Sequence, residues 1–257
     1  VKRIILSISF IVLLVFTSFS PLGIRDYKVR TIVIDPGHGG KDPGCSGHHH
    51  QEAKITLQVA KELGRILQEN LPGVKVIYTR TTDVFVELHE RAAIANRHHA
   101  DIFLSIHCNS GVPDVYGTET YTMGLHKSTG NLEVAKRENA VILKEDNHKQ
   151  HYEGYDPNSP QAHILFSLYQ NAYIENSLSL ASKIETQFKN RVGRTSRGVK
   201  QAGLLVLWKT SMPSVLVELG FLTNKKEEQY MALPSNQVLL ASGIYRAIKE
   251  YKIEIEQ

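Results

Sequence analysis

Residues 31–40, Thr-Ile-Val-Ile-Asp-Pro-Gly-His-Gly-Gly, leave the chain few ways to fold. An apolar β-branched run that ends in Pro36-Gly37 reads as a buried strand entering a glycine loop. A helical pattern follows at once. Ile55, Val59, Leu63, Ile66 and Leu67 recur at helical spacing from Glu52 to about Asn70, where Pro72-Gly73 stops it. The alternation then repeats. Val74–Thr79 is predicted as a strand, Leu88–Asn96 as a helix, and Asp101–His107 as a core strand apolar on both faces. Gly117–Met123 reads as a strand nearer the edge, Gln161–Arg191 as one long helix, Gly203–Trp208 and Val215–Val217 as strands, and Ser235–Tyr251 as a closing helix. Strands and helices in alternation specify a layered α/β domain. The 257 residues, 42% of them hydrophobic, are enough for one such domain with a full core.

Residues 1–25 stand apart. Lys2 and Arg3 precede 16 uncharged residues, Ile4 to Phe19, the pattern of a secretory signal. That stretch is shorter than the ~20 residues of a comfortable membrane span. Pro21 is unfavourable just after a cut at Ser20, so an uncleaved N-terminal anchor is the other reading, and only then would the protein touch a membrane. Either way the chain is expected to be exported to the periplasm or cell envelope. A net charge of +4 with no basic run gives no support to nucleic-acid binding, and a mildly basic surface suits an anionic envelope polymer. Cys45 and Cys108 are too few for a disulfide framework or a cysteine-based zinc site, and read as two packed thiols.

Four residues carry the expected chemistry. His38 lies in the glycine loop after the first strand, Glu52 opens the first long helix, His107 ends a core strand, and Glu218 follows the apolar run Ser214–Val217. Ligand sites in α/β sheets lie beyond the carboxyl ends of strands. Two imidazoles and a carboxylate are a ligand set used by catalytic zinc, and a further carboxylate beside it can serve as general base. Spacing alone leaves open that His38 and His107 are merely packed and that Glu52 only complements a helix dipole. The run His48-His49-His50 reads as a loop of exposed histidines. Arg80 could meet a stem-peptide carboxylate or form a structural ion pair. Asn109 could orient substrate or cap its loop. Asp35 could receive a hydrogen bond from a ligand histidine or shape the turn.

The phrases Ile34-Asp-Pro-Gly-His-Gly-Gly-Lys-Asp-Pro-Gly44, Ser105-Ile-His-Cys-Asn-Ser110, Gly198-Val-Lys-Gln-Ala-Gly203 and Val217-Glu-Leu-Gly-Phe-Leu-Thr-Asn224 resemble, in order and separation, the N-acetylmuramoyl-L-alanine amidase type 3 family. The resemblance covers roughly residues 29–252. It implies a single domain built on a twisted, mostly parallel sheet with helices on both faces. It also implies Zn2+ held by His38, Glu52 and His107, with Glu218 as catalytic glutamate. The implied reaction is hydrolysis of the amide between N-acetylmuramic acid and L-alanine in peptidoglycan, in cell-wall remodelling or daughter-cell separation. A zinc carboxypeptidase or endopeptidase acting on the stem peptide would use the same ligands, and a silent wall-binding module would not need Glu218. Residues 124–160 fall where division-associated members carry an insertion that covers the zinc until an envelope activator withdraws it. Leu132–Leu143, helical in period and rich in carboxylates, is the candidate brake. A surface excursion shaping the glycan groove is the alternative.

Overall fold

The first apolar run forms strand β1 (Thr31–Pro36) in a computed structural model that describes residues 28–125, 128–168 and 172–257. The leader expected at 1–25 lies outside the described residues. Ile32 and Ile34 point into one hydrophobic core and Val33 into another, so β1 is covered on both sides. Helix α1 (Glu52–Asn70) buries the predicted stripe Ile55, Val59, Leu63, Ile66 and Leu67. Strand β2 (Lys75–Tyr78), helix α2 (Leu88–Arg97) and strand β3 (Ile102–Asn109) follow, and β3 is buried along its whole length. Strand β4 (Thr118–Met123) leads into a helical excursion. That excursion comprises α3 (Thr129–Asn139), a 3-10 turn (Ala140–Lys144), the short α4 (His148–His151) and α5 (Pro160–Ser167). Helix α6 (Ile174–Gln187) widens into a π-helical turn (Phe188–Val192) before β5 (Ser196–Ala202). Strand β6 (Ser214–Phe221) and helices α7 (Lys225–Ala232) and α8 (Pro234–Ile255) close the chain.

The described strands form one sheet in the order β2-β1-β3-β6-β4-β5. β1 pairs in parallel with β2 and β3, β3 with β6, and β4 with β5, whereas β4 runs antiparallel to β6. The sheet is therefore mostly parallel. Buried side chains of α1, α6 and α8 fill the core on one face. Those of α2, α3 and α5 fill the other. The expected fold class holds. No helix among the described residues is long and apolar enough to cross a membrane.

Two expected elements differ. The helix expected over 161–191 is two helices, because α5 buries Phe166 in one core while α6 buries Leu180, Ala181 and Ile184 in the other. One straight rod cannot reach both faces of a sheet. The strand expected at 203–208 is a 3-10 turn (Leu205–Leu207) whose apolar residues plug a core, with Asn139 Oδ1 accepting the Leu205 N–H at 2.9 Å. The strand lies just before it, at Ser196–Ala202. As a half-exposed edge it carries little hydrophobic signal.

Candidate metal centre

The backbone of the glycine loop sets the site. A Cβ at Gly37 would fall 2.5 Å from the His107 ring, and one at Gly44 would fall 2.6 Å from Glu52 Oε2 and 2.7 Å from His38 Cδ2. These close approaches need glycine, and Gly44 also holds φ +69°. His38 itself adopts φ +59°, a costly conformation for a residue with a Cβ. Glu52 is fully buried at the start of α1, where its Oε1 accepts the Cys108 N–H and its Oε2 the Cys45 N–H, each at 2.8 Å. His107 and Glu218 are register partners on the adjacent strands β3 and β6.

His38, Glu52 and His107 converge, as the sequence suggested. Glu52 Oε1 lies 3.1 Å from both His38 Nε2 and His107 Nδ1. A fourth residue, Glu138 of α3, joins them, with Oε2 at 3.0 Å from His107 Nδ1 and 3.5 Å from His38 Nε2. One ligand atom from each of the four falls within 4.8 Å of the others. Glu138 was not foreseen as a site residue, yet its position carries a signal. It sits on the same helical stripe as the buried Val134, Val141 and Ile142, a carboxylate on a face otherwise turned to the core.

His38 Nε2 and Glu138 Oε2 are buried and have no hydrogen-bond partner among the described residues, although acidic and basic atoms crowd within contact range. Buried polar atoms converging without hydrogen-bond geometry fit a shared cation, and a set of two nitrogens and two carboxylates suits a borderline divalent ion. Burial alone would lower the basicity of His38, but the Glu52 charge and contacts with Asp42 and Glu138 raise its pKa well above the usual imidazole value. His107 is likewise disfavoured as a cation by burial, yet Glu138 and Glu52 push it up to about 9. Burial acts to raise the pKa of Glu138, and the nearby His107 holds it well below the carboxylate range. The cluster thus favours positive charge at its centre.

Asp42, not Asp35, meets the His38 imidazole. His38 Nδ1 lies 2.7 Å from Asp42 Oδ2, and Lys144 Nζ donates to Asp42 Oδ1 at 2.6 Å. An ionised Asp42 keeps the proton on Nδ1 and turns the Nε2 lone pair into the cluster. Asp35 is buried behind the loop, where its carboxylate accepts from Arg91 at 2.8 Å, from Thr79 and from Ser105. Its side chain belongs to the β1 pleat, which aims it away from His38.

Glu218 is fully buried, and neither of its oxygens has a hydrogen-bond partner among the described residues. Desolvation, then the charge of Glu138, pushes its pKa well above the carboxylate range, against the pull of Arg137, whose Nη2 lies 3.6 Å from Oε1. Arg80 is buried and donates to the carbonyls of Pro36, Gly37 and Ala53 at 2.7–3.0 Å. It pins the glycine loop, and its donors face the main chain in place of a stem-peptide carboxylate. Asn109 accepts from Arg137 Nη2 at 2.9 Å and donates to Glu119 at 3.0 Å. Cys45 and Cys108 are free thiols outside the ligand group, and the Cys108 side chain packs into the core beneath α1. His48, His49 and His50 are exposed, as expected, but their main chain is tied down, with all three N–H groups donating to Glu228 at 2.6–2.9 Å.

The model of one family, described as N-acetylmuramoyl-L-alanine amidase (Amidase_3), matches residues 32–250. The chain is 33% identical over 229 residues to the N-acetylmuramoyl-L-alanine amidases AmiA of Salmonella typhimurium and Escherichia coli, covering 86% of this chain and 76% of theirs. Among solved structures, it resembles the catalytic domain of CwlV, an N-acetylmuramoyl-L-alanine amidase from Bacillus (Paenibacillus) polymyxa var. colistinus. That likeness has a TM-score of 0.64 at 29% identity and covers 88% of this chain and 99% of that one. An N-acetylmuramoyl-L-alanine amidase from Clostridium difficile 630 is similar at TM-score 0.65 and 27% identity, covering 88% and 97%. By the family match over residues 32–250 and the identity to the AmiA amidases, the chain that builds this glycine loop and buried His/Glu cluster belongs to the N-acetylmuramoyl-L-alanine amidase family.

Proposed function

We propose that this chain is a zinc-dependent hydrolase that cuts the amide between N-acetylmuramic acid and L-alanine in peptidoglycan, and that it acts in the cell envelope on wall remodelling or daughter-cell separation. The observation that carries this reading is the buried convergence of His38, Glu52 and His107 beside an unpartnered Glu218. Those three residues would hold Zn2+. The chemistry a bound zinc supplies is Lewis acidity, toward a carbonyl oxygen and toward water, whose pKa it brings to ~7. Glu218 takes the proton of the attacking water and hands it to the departing L-alanine nitrogen. Neither of its oxygens is engaged in another hydrogen bond among the described residues. Asp42 fixes the His38 ring, and Arg80 and Arg91 hold the loop that presents it. The experiment is incubation of Zn2+-replete protein with purified sacculi and mass spectrometry of what is released. Free stems with an L-alanine amino terminus are expected, and shortened stems would assign a peptidase. Glu218→Gln should keep the ion and lose on the order of 10²- to 10⁴-fold in rate. Substantial retained activity would remove Glu218 from the mechanism.

The same geometry supports a brake. Glu138 places its carboxylate among the ligands, where the carbonyl and water need room, and its neighbour Arg137 reaches Glu218. Both ride on α3, within the segment 124–160, so an envelope protein that draws α3 away would activate the enzyme. Removing residues 126–156 tests this crudely, because Val134, Ala135, Val141 and Ile142 leave the core with it. Glu138→Ala is the cleaner test. At equal ion content, activity on sacculi should rise roughly 5- to 150-fold, the usual range of coupling between sites. An unchanged or lower rate would show that α3 is no brake.

A further inference from the structure

Away from the first cluster, the N-terminal turn of α2 meets the short helix α4 across a second set of metal-ligating side chains. Glu87, His89 and His151 bring a carboxylate oxygen and two imidazole nitrogens within 4.8 Å of one another. The His89 and His151 rings stack 3.9 Å apart and 9° from parallel, so the exposed His151 ring must turn about its Cβ–Cγ bond for both to aim a nitrogen lone pair at one ion. His89 Nδ1 is shielded from solvent and has no hydrogen-bond partner among the described residues, although Glu87 Oε2 stands 3.5 Å away and Glu145 Oε2 3.6 Å away. Glu145 is held firmly, accepting the Leu88 N–H at 2.7 Å and the Tyr152 hydroxyl at 2.6 Å. Two imidazoles with carboxylates at this range match zinc, nickel, cobalt or copper better than magnesium or calcium, which demand oxygen ligands.

We propose that Glu87, His89 and His151 form a second site for a divalent transition-metal ion, which fastens α4 to the start of α2. The consequence for activity rests on the brake reading, but the site does not. Because α4 follows closely on α3 and the 3-10 turn, an ion bound here would resist the withdrawal of Glu138 from the first cluster.

Bound ions counted on the full chain, stripped with chelator and reloaded with Zn2+, test the site. Two ions per chain are expected for the wild type and one for His151→Ala. His151 is exposed, and the ion remaining in the first cluster reports that the variant is folded. His107→Ala should lose the first ion and keep the second. A triple His48→Ala, His49→Ala, His50→Ala variant should still bind two. A His151→Ala chain that binds as many ions as the wild type, or loss of an ion in the triple variant alone, would overturn the proposal. Amide exchange across residues 146–155 reads the fastening. With free Zn2+ about tenfold above its Kd for this site, exchange should slow about tenfold in the wild type and not in His151→Ala. Unchanged exchange in the wild type would refute the fastening. Failure of the amidase reading would appear in the sacculus products and leave these ion counts untouched.

Discussion

A methyl group at position 37 would lie 2.5 Å from the His107 ring, so the smallest change in the glycine loop would displace a ligand carried by another strand. Sites of this kind depend on residues that never touch the ion. Asp42 is the strongest case, since it alone of the described carboxylates meets His38 Nδ1 at hydrogen-bond distance. Asp42→Asn should weaken Zn2+ binding by about 10- to 100-fold, measured by competition with a chromophoric chelator. Unaltered affinity would reduce Asp42 to a loop-shaping residue. The sequence made His38, Glu52 and His107 legible because each sits where a strand ends or a helix begins. Asp35 and Asp42 flank one glycine loop, and the pleat of β1, which buries Asp35 against Arg91, leaves Asp42 to face the histidine. Glu138 was hidden for another reason. Local period puts Glu138 on a buried face, but its arrival at the cluster depends on how a helical excursion folds back over the sheet.

Elements were legible where apolar residues fall on one stripe or on both faces of a run. β1, α1 and β3 meet that condition. β5 does not, because an edge strand with half-exposed side chains looks like a loop. Polar contacts hold this end of the sheet. Glu185 of α6 accepts from Thr118 and Thr120 of β4 and from Ser196 of β5, at 2.5–2.9 Å. Burial is the main cause of a raised pKa for Glu185, only partly offset by those three hydroxyls. An acid whose pKa is raised on folding costs stability once pH exceeds its unfolded value of 4.5, because the unfolded chain then ionises more readily. Glu185→Gln removes that cost, and the hydroxyls can turn to serve an amide. At about pH 7 the variant should melt at or above the wild type, by about 2–4 °C for each kcal/mol released, and the gain should vanish near pH 4. A variant less stable across that range would mean that the hydroxyl contacts require the charge.

Across the whole molecule, the first cluster draws on β1's loop, α1, β3 and α3, elements spread over about 100 positions of sequence. An ion held there would cross-link the layers as well as act as a reagent. Removing it should lower the melting temperature, and Zn2+ restores it. At free ion about 1,000 times Kd the difference is on the order of 4 kcal/mol. Thermal melts with and without chelator check this, and identical curves would mean that the four side chains hold their places unaided. The excursion that carries Glu138 is joined to the sheet at both ends, through β4 and, by way of α6, β5. A carboxylate tethered so is present at its target at a local concentration in the millimolar range or above, however dilute the protein. Dilution cannot release it, and free carboxylates in the surroundings cannot outcompete it. An activating protein would therefore have to grip the tether itself, and its required affinity would be set by chain geometry and not by the abundance of any inhibitor.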